Sequence, residues 1–152
     1  MGVDGSSDSI VVGTDGSDTA KRAVAEAVRL AGALGGTVHI VSAYEPVRGA
    51  KISGAPEGAA KIWAPLPDAE VQRVLEEAAT EARIAGADVH THAIHASAAD
   101  ALLEVAKDVG ANMIVVGNKG MHGAKRLVMG SVPNTVSHRA TCNVLIVCTE
   151  GD

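Results

Sequence analysis

Short runs rich in valine and isoleucine alternate along this chain with segments of helical periodicity. The apolar runs are too short for helices and are bounded by glycine or polar residues, as buried strands are. They cover residues 10–13, 37–43, 89–94, 113–116 and 144–148. Between them, apolar residues recur every three or four positions, which predicts helices at about 20–34, 71–85, 98–109 and 131–139. This alternation predicts an α/β fold, a doubly wound parallel sheet with helices on both faces.

Residues typical of helix ends support these boundaries. Ser97 followed by Asp100 three residues later is a capping-box pattern and predicts the start of the third helix, which Gly110 would end. Asp68 is a candidate cap for the second helix. Pro133 is compatible with the fourth helix because it falls in the first turn, where proline is tolerated.

The length and composition predict a single folded domain. The chain has 152 residues, 47% hydrophobic and 20% charged, which suits one domain with its own core. We expect a flexible tail at 1–8 and one domain at 9–152. The segment 46–67 is rich in Gly, Ala and Pro, lacks a clear period and is long for a connection. It is either a mobile flap carrying Trp63 over a site or a disordered excursion.

Composition also argues against two classes of partner. Phe is absent, there is one Tyr and one Trp, and the net charge is −5. Nucleic-acid binding by stacking needs aromatic platforms, and a polyanion needs a basic face, so we expect no nucleic-acid partner. No apolar run approaches the roughly 18 residues of a membrane span, and the N-terminal residues lack the pattern of a secretory signal. We therefore expect a cytoplasmic protein without a membrane partner.

Similar glycine turns follow the first and fourth predicted strands. IVVGTDG at 10–16 and IVVGNKG at 114–120 share an apolar strand, a glycine, two polar residues and a second glycine. In doubly wound sheets, ligands bind beyond the carboxyl ends of the strands where the winding reverses. If the two strands are neighbours at that point, both turns border one crevice.

The second turn leads towards a Gly-Ser pair that could hold an anion. Glycine lets backbone N–H groups approach a phosphate, and the first N–H groups of a helix favour one. Gly130, Ser131 and Val132 would supply these groups, with the Ser131 hydroxyl as an extra donor. The spacing matches neither the P-loop nor the dinucleotide fingerprint, and glycine turns without a ligand are common. The spacing alone thus leaves a purely structural role open.

A resemblance goes further than the spacing. Gly117-x-x-Gly120, nine residues, then Gly130-Ser131 is similar to the nucleotide-binding signature of the universal stress protein family. VVGTDGS near the N-terminus and VLIV in the last predicted strand extend the similarity to nearly the whole chain. The resemblance implies the strand order 3-2-1-4-5 and a homodimer joined through the last strand, at 144–148.

The resemblance also implies a site for an adenine nucleotide, either ATP or cyclic AMP, with magnesium a further candidate when the ligand is ATP. Asp15 corresponds to the acidic residue that contacts the nucleoside, and Ala43 to the adenine-contacting position at the end of the second strand. Other implied positions surround the ribose and phosphates, namely Val116, Gly117, Asn118, Lys119, Gly120, Gly130, Ser131 and Val132. Many members have Ser and then Arg or His where this chain has Asn118 and Lys119, which leaves the choice of ligand open.

No pattern of catalytic residues accompanies the glycine turns. Catalysed phosphoryl transfer needs a metal clamp and a positioned nucleophile or base, and the sequence shows neither a P-loop lysine nor a carboxylate pair near the turn. We therefore expect no catalytic residues and favour a nucleotide-binding regulator of the stress response. The alternative is a weak ATPase or an adenylate-transferring enzyme of related fold.

Histidines cluster in the third predicted strand. His90 and His92 alternate, so they face the same side, and His95 follows. A metal site would need further ligands that the sequence does not clearly supply. An exposed edge strand accounts for these histidines without a metal.

Overall fold

The computed structural model describes residues 7–44, 69–118 and 129–149. The candidate flap at 46–67, with Trp63, and the site candidates Lys119 and Gly120 lie outside these residues. Of the expected tail, only the last two residues are described. Asp8 is already attached to the sheet, since its carbonyl oxygen accepts a hydrogen bond of 2.8 Å from the Thr37 N–H group.

Within the described ranges, the chain forms a five-stranded parallel sheet and four helices. The strands are β1 Ser9–Gly13, β2 Thr37–Tyr44, β3 Asp88–His95, β4 Met113–Gly117 and β5 Asn143–Val147. The helices are α1 Asp18–Leu34, α2 Ala69–Ile84, α3 Ala98–Val109 and α4 Ser131–Arg139. All paired strands are parallel and their order is β3-β2-β1-β4-β5. The predicted fold class and strand order are confirmed.

The sheet separates two apolar layers. Successive strand residues point to opposite faces, so Val12 packs in the layer with α1 and α2, while Val11 packs in the layer with α3 and α4. Both are fully buried, as is expected of a central strand in a parallel sheet covered on both sides. Each pair of helices therefore covers its own aliphatic layer of the core.

The helix ends follow the predicted signals. Ser97 caps α3, because its Oγ accepts a hydrogen bond of 3.3 Å from the Asp100 N–H group. Gly110 ends the same helix in the left-handed conformation, with φ 61°. Leu34, the last residue of α1, is 52% exposed. None of the described helices is long and apolar enough to cross a membrane.

Candidate functional site

A cleft opens at the carboxyl ends of β1 and β4, where the winding of the chain reverses. From β1 the sheet continues through β2 and β3 on one side and through β4 and β5 on the other. Such a switch point is where doubly wound sheets bind ligands. The cleft contains a cavity of about 200 Å³. Residues of both predicted glycine turns contribute to its lining.

One wall of the cavity is the turn between β1 and α1. The Ser17 N–H group donates a 2.9 Å hydrogen bond to Asp15 Oδ1, and the Gly16 N–H group donates one of 3.1 Å to Thr14 Oγ1. Gly16 has φ 83°, a conformation that L side chains rarely adopt. The Thr14 N–H group also donates to the Val41 carbonyl oxygen, at 2.9 Å. These bonds fix the turn and hold the exposed Asp15 carboxylate at the rim of the cavity.

Another part of the lining is the beginning of α4. The N–H groups of a helix's first turn have no partner within the helix. Gly130 occupies the cap position without a side-chain cap, and its N–H group donates a 3.1 Å hydrogen bond to the Asn118 carbonyl oxygen. Pro133 has no N–H group. Ser131 and Val132, which both line the cavity, therefore supply the N–H groups that remain for an anionic ligand.

Asn118 forms hydrogen bonds with the end of β5 and with Thr149 after it. Its Oδ1 accepts hydrogen bonds from the N–H and the hydroxyl of Thr149, at 3.0 and 2.8 Å. Its own N–H group donates to the Val147 carbonyl oxygen at 2.9 Å, and Arg22 donates to the Thr149 carbonyl oxygen at 2.7 Å. Asn118 does not belong to the lining of the cavity. Its described contacts instead attach the chain after β5 to the end of β4.

The structure brings most of the predicted site residues together. Those that line the cavity are Asp15, Ala43, Val116, Gly117, Gly130, Ser131 and Val132. The sequence interpretation did not single out Thr14, Ser17 or Leu102, which also line it. The first two belong to the TDGS run beside Asp15, so their proximity could have been inferred. Leu102 could not, because it arrives from α3 and packs over Gly13, where a Cβ would lie only 3.3 Å from its Cδ2.

A second, more open lobe adjoins the first. It has a volume of about 700 Å³ and shares Ala43, Ala98, Ser131 and Val132 with the first lobe. In the lining of this lobe Arg139 Nη1 donates a 2.7 Å hydrogen bond to Asp100 Oδ1. This bond, together with one from the Ser97 hydroxyl, lowers the pKa of the Asp100 carboxyl. Among the described residues that line the two lobes, Arg139 carries the positive charge.

The predicted histidines lie elsewhere. His90 and His92 are on the edge strand β3, as expected, and they contact His39 of β2 rather than the cleft. In 7–44, 69–118 and 129–149, no group of three or more His, Cys, Asp or Glu side chains is arranged to hold a metal ion.

Comparison with known proteins agrees with this geometry. The model of the universal stress protein family matches residues 6–147. A universal stress protein of Mycobacterium tuberculosis is 39% identical over 145 residues, covering 92% of this chain and 95% of the relative. A solved universal stress protein in complex with cAMP is 34% identical, with a TM-score of 0.72, and the match covers 95% of this chain and 99% of that one.

A more distant structure is the universal stress protein of Archaeoglobus fulgidus in complex with dAMP. It is 25% identical, with a TM-score of 0.65, and the match covers 91% of this chain and 96% of that one. The family match spans the sheet, the helices and both walls of the cleft. This chain belongs to the universal stress protein family.

Proposed function

We propose that this protein binds an adenine nucleotide in the cleft between β1 and β4 and acts as a regulator of the stress response. The observation that carries the proposal is that the start of α4, with the N–H groups of Ser131 and Val132, lines the same cavity as Asp15. A donor pair suits a phosphate, and a carboxylate accepts hydrogen bonds from the hydroxyl or amino groups of a nucleoside. The cleft thus offers one wall to each end of a nucleotide.

The apolar part of the cavity suits the base. Val41 and Val116 are buried, and Leu102 covers the cavity from α3. Ala43 projects only a methyl group at the end of β2, which leaves space for a flat ring. Ligand pockets commonly combine such an apolar lining with a few polar groups that fix orientation. We therefore place the base near Ala43, the nucleoside's polar atoms near Asp15 and the phosphate at the start of α4.

Cyclic AMP is our first candidate ligand. Because the Gly130 N–H group is engaged by Asn118, the described part of α4 has donors for about one phosphate group. The solved relative in complex with cAMP is 34% identical over 95% of this chain, and the more distant one binds dAMP. Both cAMP and dAMP carry adenine and a single phosphate.

ATP is the second candidate because the larger lobe opens directly from the same cavity. A triphosphate extending from Ser131 along α4 would enter that lobe, where Arg139 could balance part of its charge. It would need further donors, for which Lys119 and Gly120 are candidates outside the described residues, and a divalent ion such as magnesium.

Calorimetry separates these ligands. Cyclic AMP should bind without a metal, whereas ATP binding should depend on magnesium. Gly117→Glu and Gly130→Glu should each abolish binding while the protein stays folded. Both residues line the cavity, so the new side chain would occupy the ligand's space and its carboxylate would repel the phosphate. Gly32→Glu is the matched control, because a Cβ at this exposed position in α1 meets nothing within 4 Å. If the unmodified protein binds neither ligand, the nucleotide proposal is wrong.

The alternative to a regulatory role is slow hydrolysis of ATP. A regulator binds its nucleotide without steady turnover, while a weak ATPase would release phosphate continuously. We expect no turnover above that of a Gly130→Glu preparation purified in the same way. Steady hydrolysis that Asp15→Ala abolishes would favour the enzyme, since Asp15 is the carboxylate that lines the smaller lobe.

We further propose a homodimer joined through β5. The sheet has two edge strands, β3 and β5. The edge at β3 carries Asp, Thr and three His, whereas β5 reads Asn-Val-Leu-Ile-Val and leaves Ile146 38% exposed. Natural proteins usually cover or charge such an apolar edge. The proposed binding of an adenine nucleotide also places the protein in the cytoplasm, where such nucleotides are available. Light scattering that shows a monomer at micromolar concentration would contradict the dimer.

A further inference from the structure

Three histidines meet on the side of the β2–β3 pair that faces α3. His39 of β2 lies opposite His90 of β3, and His92 is two residues further along the same face. His39 Nδ1 and His92 Nε2 are 3.0 Å apart, and the rings of His39 and His90 stack with centroids 5.3 Å apart. His39 is only 8% exposed. On its other side β2 pairs with β1, where Val11 lies opposite His39 and cannot titrate.

The contact between His39 and His92 depends on protonation. A hydrogen bond between two imidazoles needs an N–H group on one ring and an unprotonated nitrogen on the other. When both rings are protonated they carry donors only, so the bond is lost and two positive charges face each other at the same distance. The stacked ring of His90 adds a third charge if it is protonated too. The hydrogen-bonded pair therefore tolerates at most one imidazolium, with the other ring neutral.

The surroundings also disfavour protonation. Burial lowers the pKa of His39, and the charges of His92 and His90 lower it further, against an opposing effect of Asp88 at the start of β3. Burial likewise lowers the pKa of His92, His90 adds to this, and Asp108 of α3 opposes it. The two carboxylates do not outweigh burial and mutual repulsion. Both histidines therefore have a lower pKa in the paired strands than free histidine has.

We propose that this histidine cluster makes the pairing of β3 with β2 sensitive to pH, holding the edge strand while the imidazoles are neutral and loosening it in mild acid. The sign follows from linkage. Because pairing lowers the pKa of His39 and His92 below the ordinary value of 6.5, their contribution is complete above pH 6.5 and is lost as the pH falls below it. This proposal does not depend on nucleotide binding.

Hydrogen exchange of the β3 amides tests the proposal. As the pH is lowered from about 7.5 to about 5.5, the opening constants of these amides should rise, after correction for the intrinsic exchange rate. The rise should be at most about tenfold for each histidine that stays neutral in the paired state. The amides of β4, in the interior of the sheet, serve as the internal reference. His92→Gln should reduce the rise, because glutamine can still bond to His39 but does not titrate. His95→Gln is the matched control, since this exposed side chain contacts Tyr44 instead.

Equal opening constants at the two pH values in the unmodified protein would overturn the proposal, and so would an undiminished rise in His92→Gln. A second measurement uses the unmodified protein alone. In an NMR titration, the imidazoles of His39 and His92 should protonate below pH 6.5 while β3 remains paired. Titration midpoints of both imidazoles at the ordinary histidine value would show that the cluster does not disfavour protonation, and would contradict the proposal.

Discussion

Replacing Asn118 with alanine tests whether this residue stabilises the fold or contacts the ligand. The family resemblance places it among residues around the ribose and phosphates. In the structure its Oδ1 instead accepts two hydrogen bonds from Thr149, which is 4% exposed. A structural role predicts a loss of stability in the absence of any nucleotide. A role as a ligand contact predicts a loss of affinity with stability unchanged.

The expected magnitude follows from the two bonds. Each intramolecular hydrogen bond contributes about 1 kcal/mol net, and a buried donor left unsatisfied costs about 1–3 kcal/mol. Asn118→Ala removes the acceptor of both Thr149 donors, so the free energy of unfolding should fall by about 2–3 kcal/mol. For a domain of this size that corresponds to a decrease in Tm of about 5–10 °C. Urea unfolding without ligand measures the change.

Asn118→Asp provides the matched control. A carboxylate oxygen can accept both hydrogen bonds from Thr149, so stability should stay within about 0.5 kcal/mol of the unmodified protein. A loss below about 0.5 kcal/mol in Asn118→Ala would refute the structural role. An equal loss in the alanine and aspartate variants would show that something other than these two bonds is being measured.

Three further changes have defined outcomes. Ile146→Lys should convert the proposed dimer into a folded monomer in light scattering, because it places a charge on the apolar edge of the sheet; a dimer that persists would exclude pairing through β5. Arg139→Gln should weaken ATP binding by about tenfold and leave cyclic AMP binding unchanged, and equal effects on both would contradict an ATP-specific lobe. Ser97→Ala should lower the free energy of unfolding by about 1 kcal/mol, since it removes the cap of α3, and a neutral result in urea unfolding would exclude that contribution.

Local patterns in the sequence were sufficient to predict the elements of the fold. Short apolar runs and helical periodicity depend on neighbouring residues, and the ends of α3 carried their own signals at Ser97 and Gly110. The strand order was different. Periodicity does not specify which strands are neighbours, so the order came from the family resemblance and the structure then confirmed it.

The site was predictable where it depended on glycine turns and not where it depended on long-range contacts. Gly117 and Gly130 were recognised because the backbone requirement is visible in the sequence. The hydrogen bonds from Thr149 to Asn118 connect residues 31 positions apart, and no local sequence pattern predicts them. The contacts of His39 with the histidines of β3 were not predictable either, because the register of β2 against β3 is a property of the folded sheet.

The hydrogen bond from Gly130 to the Asn118 carbonyl oxygen has a consequence for protein engineering. It fixes Gly130, at the start of α4, against Asn118, directly after β4. The entropy of closing a loop rises slowly with its length, by about 0.6 kcal/mol for each doubling. We therefore expect segments of different length between Asn118 and Gly130 to alter ligand preference at little cost to the stability of the five-stranded sheet.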